Sequence, residues 1–207
     1  MTRVPDAPIA APLRRRGAAL EDAIRRAAFA ELTEVGYTSF SVEGVAARAR
    51  TGKASIYRRW PTKQELVMDA LLTELPMPEH SGVSIPLEDD ALSTVDALHL
   101  VARAIMSVVN SPAGAAIRRV KFEATIDPEL ARLVDERFQA PRRAAMLELL
   151  RRGVRRGEVR PGADTELVAD VIPAVLLHRV IMQGQRVGEA EIRQVMEQVV
   201  IPLIEVR

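Results

Sequence analysis

Apolar residues return every three or four positions along most of this 207-residue chain, the period of helices that bury one face. Leu20, Ile24, Ala28, Leu32 and Val35 make the first such stripe. It begins near Gly17 and stops at Gly36, a residue suited to a helix C-cap. Tyr37 to Phe40 forms a connection, and Ser41 stands where it can cap a second helix. Val42, Val45, Ala46 and Ala49 give that helix an inner face, and Arg50-Thr51-Gly52 breaks it. A third, short helix is predicted over Lys53 to Arg59, with only Ala54 and Ile56 apolar enough to face inward. Pro61 ends it. Thr62-Lys63-Gln64-Glu65 reads as a capping box before Leu66, Val67, Ala70 and Leu71, so a fourth helix starts near 62.

Residues 76–88 carry Pro76, Pro78, Pro86 and Gly82, which marks a loop and a boundary between two parts. Beyond it every long segment has helical periodicity. One helix is predicted over 90–110. Ser111-Pro112 opens another with a cap and a proline in the first turn. Asp127-Pro128 repeats the device and opens a long helix to about 156, stopped by Gly157 and Pro161-Gly162. Asp164 caps a helix through Met182, and Glu189 to about Ile204 is the last. No strand-like alternation occurs. The expected fold is all-α with about nine helices: a flexible basic arm (1–16), an N-terminal part (17–75) and a C-terminal helical part (76–207).

Composition narrows the chemistry. Apolar residues make up 48% of the chain, enough for a buried core. The net charge is only +1, but its distribution is uneven. Residues 1–64 hold 12 Lys and Arg against 6 Asp and Glu, and residues 65–207 hold 17 against 22. The N-terminal part is therefore suited to sit near an anion. The cluster Arg14-Arg15-Arg16 in the arm reads either as a solvated tail or as a phosphate contact. There is no cysteine, so disulfides, thiolate metal sites and Cys nucleophiles are excluded. The three histidines, His80, His99 and His178, lack metal-ligand spacing. No Gly-rich phosphate loop and no nucleophile-base pattern is present. Neither a signal peptide nor a long apolar span is visible. An enzyme is not expected, nor a metal, a cofactor or a membrane partner, and the expected location is the cytoplasm.

The informative stretch is 36–66. Two short helices across a tight turn have the geometry of a helix-turn-helix, whose second helix enters the major groove of DNA. The second of these is too short and polar to hold itself, so its neighbours must brace it and leave one side free. The residues match a longer pattern: Gly36-Tyr37, Ser41-Val42, Val45-Ala46, Ala49-Arg50, Gly52-Lys53, Ile56-Tyr57, Trp60-Pro61-Thr62-Lys63 and Glu65-Leu66. This contiguous run resembles the N-terminal domain of TetR-family transcriptional regulators. Residues 151–161 and 166–170 resemble one subgroup of TetR-like ligand-binding domains, a less specific match.

The resemblance implies double-stranded DNA as partner. Ser41 matches a phosphate-contacting position. Thr51, Gly52, Lys53 and Ser55 match the start of the recognition helix, where Lys53 can reach guanine or a phosphate. Tyr57 and Lys63 match residues that hold the DNA backbone, and Arg58 and Arg59 are further candidates. Two positions depart from the pattern. Arg50 stands where glycine is usual, at a cost of about 1–2 kcal/mol if its φ is positive; either a phosphate contact offsets this or the turn is altered. Trp60 replaces a phenylalanine and is read as a core aromatic.

The helix of 164–182 is apolar nearly all round, and that of 189–204 carries a clean stripe. The resemblance implies that both pair with a second copy. Val171, Val175, Ile192, Val195, Met196, Val199 and Leu203 are the expected homodimer interface, with Pro173 expected to kink the first helix. The middle helices are expected to enclose a cavity for an unidentified small-molecule effector, lined by His99, Met106, Phe122, Met146, His178 and Met182. The resulting expectation is a homodimeric, ligand-responsive DNA-binding regulator, a repressor first. A helical protein-interaction module with a basic docking surface, or a transcriptional activator of the same fold, remains the alternative.

Overall fold

The computed structural model describes residues 17–75 and 91–206. The arm at 1–16 and the Pro-rich boundary at 76–88 lie outside these residues, as does His80. Among the described residues the chain forms nine helices and no strand. They are α1 (Ala18–Ser39), α2 (Val42–Ala49), α3 (Lys53–Tyr57), α4 (Lys63–Glu74), α5 (Thr94–Val109) and α6 (Pro112–Glu123). α7 runs through Pro128–Val134, a π turn at Asp135–Gln139 and Ala140–Arg155. α8 is Glu166–Ile181, and α9 is Glu189–Val195 with a π turn at Met196–Val200 and Ile201–Ile204.

Short polar side chains start most of these helices. Ser41, Thr62, Ser93, Ser111, Asp127 and Thr165 each accept a bond from the backbone N–H three residues on, satisfying a donor the helix leaves unpaired. Thr165, not Asp164, caps α8, so that helix starts slightly later than the sequence suggested. Gly36 adopts φ 77°, so α1 proper ends where the sequence stops it, and Tyr37 to Ser39 add a separate turn. The two π turns were not anticipated. Each lies just before a proline, Pro141 in α7 and Pro202 in α9. Proline lacks an N–H and its ring crowds the carbonyl four residues back, and a widened turn relieves both. Pro173 lies inside α8, which continues through it from Glu166 to Ile181.

Two buried clusters hold the molecule. The first joins α1 to α4, around Ile24, Leu32, Ile56, Leu66 and Leu71, with the inner faces of α6 and the start of α7 through Ile117, Val120 and Leu130. The second joins α5, the later part of α7, α8 and α9 around Leu98, Leu150, Leu176 and Met196. Val35 was expected on the inner stripe of α1, but it is exposed. The chain turns away at Gly36, and Tyr37 and Phe40 fill that end of the core instead. A polar seam also crosses between the parts. The Tyr37 hydroxyl and Gln64 Nε2 both donate to Asp127 Oδ2 at 3.0 Å, and the Thr38 hydroxyl donates to Glu123 at 3.1 Å.

Candidate nucleic-acid interface

α2 packs against α1 through Val42, Val45, Ala46 and Ala49, all buried as expected. A partly exposed ion pair reinforces the contact: the exposed Arg48 donates from Nε to the buried Glu31 at 2.7 Å and from Nη2 to the exposed Glu34 at 2.6 Å. The Glu31 carboxylate lies so close to Gly44 that a Cβ there would collide with it. Arg50 ends α2 with φ 53° and ψ 50°, the left-handed conformation, and its N–H bonds the Ala46 and Ala47 carbonyls. It is the one non-glycine residue with positive φ among the described residues. The strain foreseen for an arginine at this turn is therefore present, about 1–2 kcal/mol.

The turn delivers α3 outward. Ile56 is fully buried and is the anchor of this five-residue helix. Ala54, expected to face inward beside it, is exposed; a single helical turn has room for one buried apolar residue. Trp60 supports α3 from behind: it is buried, and its indole N–H donates to Asp69 at 2.8 Å. Arg59 is turned back into the protein, with Nε on Glu21 at 3.1 Å and Nη1 on the Ser55 carbonyl at 2.9 Å and hydroxyl at 3.2 Å. Gly52, Lys53, Ala54, Tyr57 and Arg58 remain on the exposed side, with Arg50 exposed beside them and Thr51 and Ser55 half-buried.

Two of the cations are already engaged. Lys53 Nζ bonds Glu43 Oε1 at 2.6 Å across the α2–α3 corner. Each partner holds the other's charge, so Lys53 is raised and Glu43 lowered from its ordinary value. Lys63 Nζ donates to the Tyr37 carbonyl at 2.7 Å and lies 4.3 Å from the Tyr37 ring centroid. Burial pushes its ammonium below the usual lysine value. The Ser41 hydroxyl oxygen is occupied by its capping bond to Gly44 N–H at 3.0 Å. Glu43 was not foreseen as a partner of Lys53; its only signal in the sequence is an acid in the first turn of the bracing helix, ten residues before Lys53.

The six cavity candidates do not converge on one enclosed space. Met106 and Met146 are core residues of the second cluster. Phe122 and Met182 are exposed, at 75% and 73%. His99 lines an open, charged depression with Asp96, Arg103, Glu189 and Arg193. His178 lines a separate one with Ala174, Val175, Arg179 and Gln194. Helical spacing could not say which side of each helix turns inward.

The interface candidates also divide. Ile192, Val195 and Met196 are buried within the chain itself, at 3% or less, so they cannot meet a second copy. Val171, Val175, Val199 and Leu203 are half-buried. The apolar side chains that α8 and its end leave outside are Leu167 at 79%, Ile181 at 52% and Met182. No single helix among the described residues is long and apolar enough to cross a membrane.

Comparison with known proteins agrees with this architecture. Residues 24–70 match the family model described as bacterial regulatory proteins, tetR family, and residues 88–199 match the tetracyclin repressor-like C-terminal domain. An uncharacterised HTH-type transcriptional regulator of Mycobacterium bovis is 30% identical over 174 residues, covering 83% of this chain and 81% of that one. A DNA-binding transcriptional repressor of Mycobacteroides abscessus is 30% identical over 190 residues, covering 91% and 96%. Among solved structures, a TetR-family regulator from Mesorhizobium loti superposes with a TM-score of 0.72 at 20% identity, covering 93% of this chain and all of the other.

Proposed function

Because the chain belongs to the TetR family of DNA-binding transcriptional regulators, we propose that it is a cytoplasmic homodimeric repressor whose hold on a two-fold operator is released by a small molecule. The observation that carries this is the outward face of α3. A helix anchored by Ile56 alone presents Lys53, Tyr57 and Arg58 to solvent, the side chains a major-groove reader needs. In this reading residues 17–75 bind DNA, and residues 76–207 dimerise and receive the effector. Lys53 meets base edges or a phosphate once it leaves Glu43. Thr51, Gly52 and Ser55 accompany it at the start of α3. Ser41, Arg50, Tyr57, Arg58 and Lys63 hold phosphates, and Lys63 has two N–H groups beyond the one given to Tyr37. The repressor role follows that of the Mycobacteroides abscessus relative, a DNA-binding transcriptional repressor.

Dimerisation is supported by the apolar surface of α8. Leu167, Ile181 and Met182, with the half-buried Val171, Val175, Val199 and Leu203, would be covered by the same surface of a twin. Two recognition helices then address two half-sites. Effector and DNA affinities would be reciprocally linked, typically by about 1–3 kcal/mol.

Selection of bound duplexes from a random pool tests the proposal. The expected result is an enriched motif with two-fold symmetry and an affinity that falls steeply with salt. Equal binding of all duplexes and a flat salt profile would favour a protein-docking module instead. On the enriched duplex, Tyr57→Phe and Lys63→Ala should weaken binding to every sequence alike.

A further inference from the structure

Lys121 is the one lysine of the chain's three that stands outside the N-terminal helices. It projects from the last turns of α6 and is half-buried. Its Nζ donates to Gln139 Oε1 at 3.1 Å and lies 5.7 Å from the Phe138 ring centroid. The guanidinium of Arg142 stacks on the same ring at 3.8 Å and donates to the Phe138 carbonyl at 2.6 Å. Two cations thus share one aromatic side chain, and Lys121 has a neutral amide oxygen where an ion pair would supply a carboxylate. Among the described residues no acid lies within ion-pair distance of it.

Electrostatics agree with the geometry. Burial, and after it the charge of Arg142, push the Lys121 ammonium below its ordinary value. Burial also lowers Arg142. Lys53, by contrast, is raised by its carboxylate partner. A half-buried ammonium whose described polar partner is a neutral amide carries a desolvation cost that an incoming anion would offset.

We propose that Lys121, with Gln139 and Arg142 beside it, seats the anionic head of the effector, a carboxylate or a phosphate monoester. This rests on reading the C-terminal part as effector-binding. The placement suits a signal to DNA: Glu123, two residues further along α6, takes the Thr38 hydroxyl at the connection between α1 and α2. An anion at Lys121 therefore arrives within a turn of a contact that positions the helix-turn-helix.

With only three lysines, reductive 13C-methylation of the full chain gives three side-chain NMR signals, assignable with single Lys→Arg variants. The probes are acetate, benzoate and octanoate, each against its amide, with octyl phosphate and sodium chloride alongside. The Lys121 signal should shift saturably with at least one of the organic anions and not with the matched amide. The tighter of octanoate and octyl phosphate identifies the head group. In Lys121→Met the affinity for that anion, read by isothermal titration calorimetry on both proteins because the variant lacks the Lys121 signal, should fall about tenfold with an unchanged circular-dichroism spectrum; if this variant does not fold, the wild-type titration decides alone. Equal shifts from amides, or anion shifts that only match sodium chloride, overturn the proposal. Duplex DNA added to the same sample reports at Lys53, so failure of DNA binding is read separately from failure at Lys121.

Discussion

Helices α3 and α8 both present side chains to solvent, one a polar face and the other an apolar one. α3 shows Lys53, Tyr57 and Arg58 around one buried isoleucine. α8 shows Leu167 and Ile181 opposite a face that buries Ala169, Ile172 and Leu176. Within one chain Lys53 is held by Glu43, whereas Leu167 and Ile181 stay exposed. The polar one suits a charged, hydrated partner with fixed geometry, and the apolar one suits a surface like itself. A short braced helix pays for recognition with propensity, since it cannot stand alone. A long apolar helix stands within its core and leaves its surplus to a partner.

The two surfaces can be broken separately. The largest effect is expected from α8. Ile181→Glu should give a monomer by analytical ultracentrifugation, and operator affinity should fall about a hundredfold or more as the paired half-site is lost. A dimer that persists with full affinity would move the interface elsewhere. Next comes α3. Lys53→Ala should cost about 1–3 kcal/mol on the preferred duplex and relax base preference at one position in each half-site; a loss equal on all duplexes would make Lys53 a phosphate ligand only. The dimer should be untouched.

A smaller effect separates stability from recognition within the helix-turn-helix. Arg50→Gly removes the strain at φ 53° and should raise stability by about 1 kcal/mol in urea unfolding, while weakening DNA binding if the arginine meets a phosphate. The smallest concerns the seam between the parts. Bonds from the Leu130 backbone N–H, and then from Gln64 and Tyr37, hold the Asp127 carboxyl below its ordinary value. Its contribution is present above the unfolded carboxylate pKa and is lost as pH falls through the lower folded value. Asp127→Asn keeps a capping oxygen but loses the charge. Stability at neutral pH should drop by about 1 kcal/mol or less, and the acid limb of the stability profile should flatten.

Much of this was legible in the residues. Ser41, Thr62, Ser111 and Asp127 announced their helices through short-range bonds that need no tertiary partner, and Gly36 announced a stop. The contiguous run from Gly36 to Leu66 carried the family. Errors concentrate where a side chain's direction depends on something distant. Ala54 and Val35 have the right spacing to be buried but lack a neighbour on that side. Ile192, Val195 and Met196 form a clean stripe, but their own chain covers it. The π turns before Pro141 and Pro202 show that the prolines were visible while the backbone's response to them was not.

Local order, then, was written in the chain: helix positions, caps, the short braced helix and the charge bias between its parts all follow from spacing and residue type. Tertiary structure decided which face of each helix is spent inside. It closed α9 against α8, left Leu167 and Ile181 outside, tied Lys53 to Glu43 and set Lys121 beside Arg142. Periodicity fixes that a helix has an apolar side, whereas contacts between residues far apart in sequence fix what that side meets.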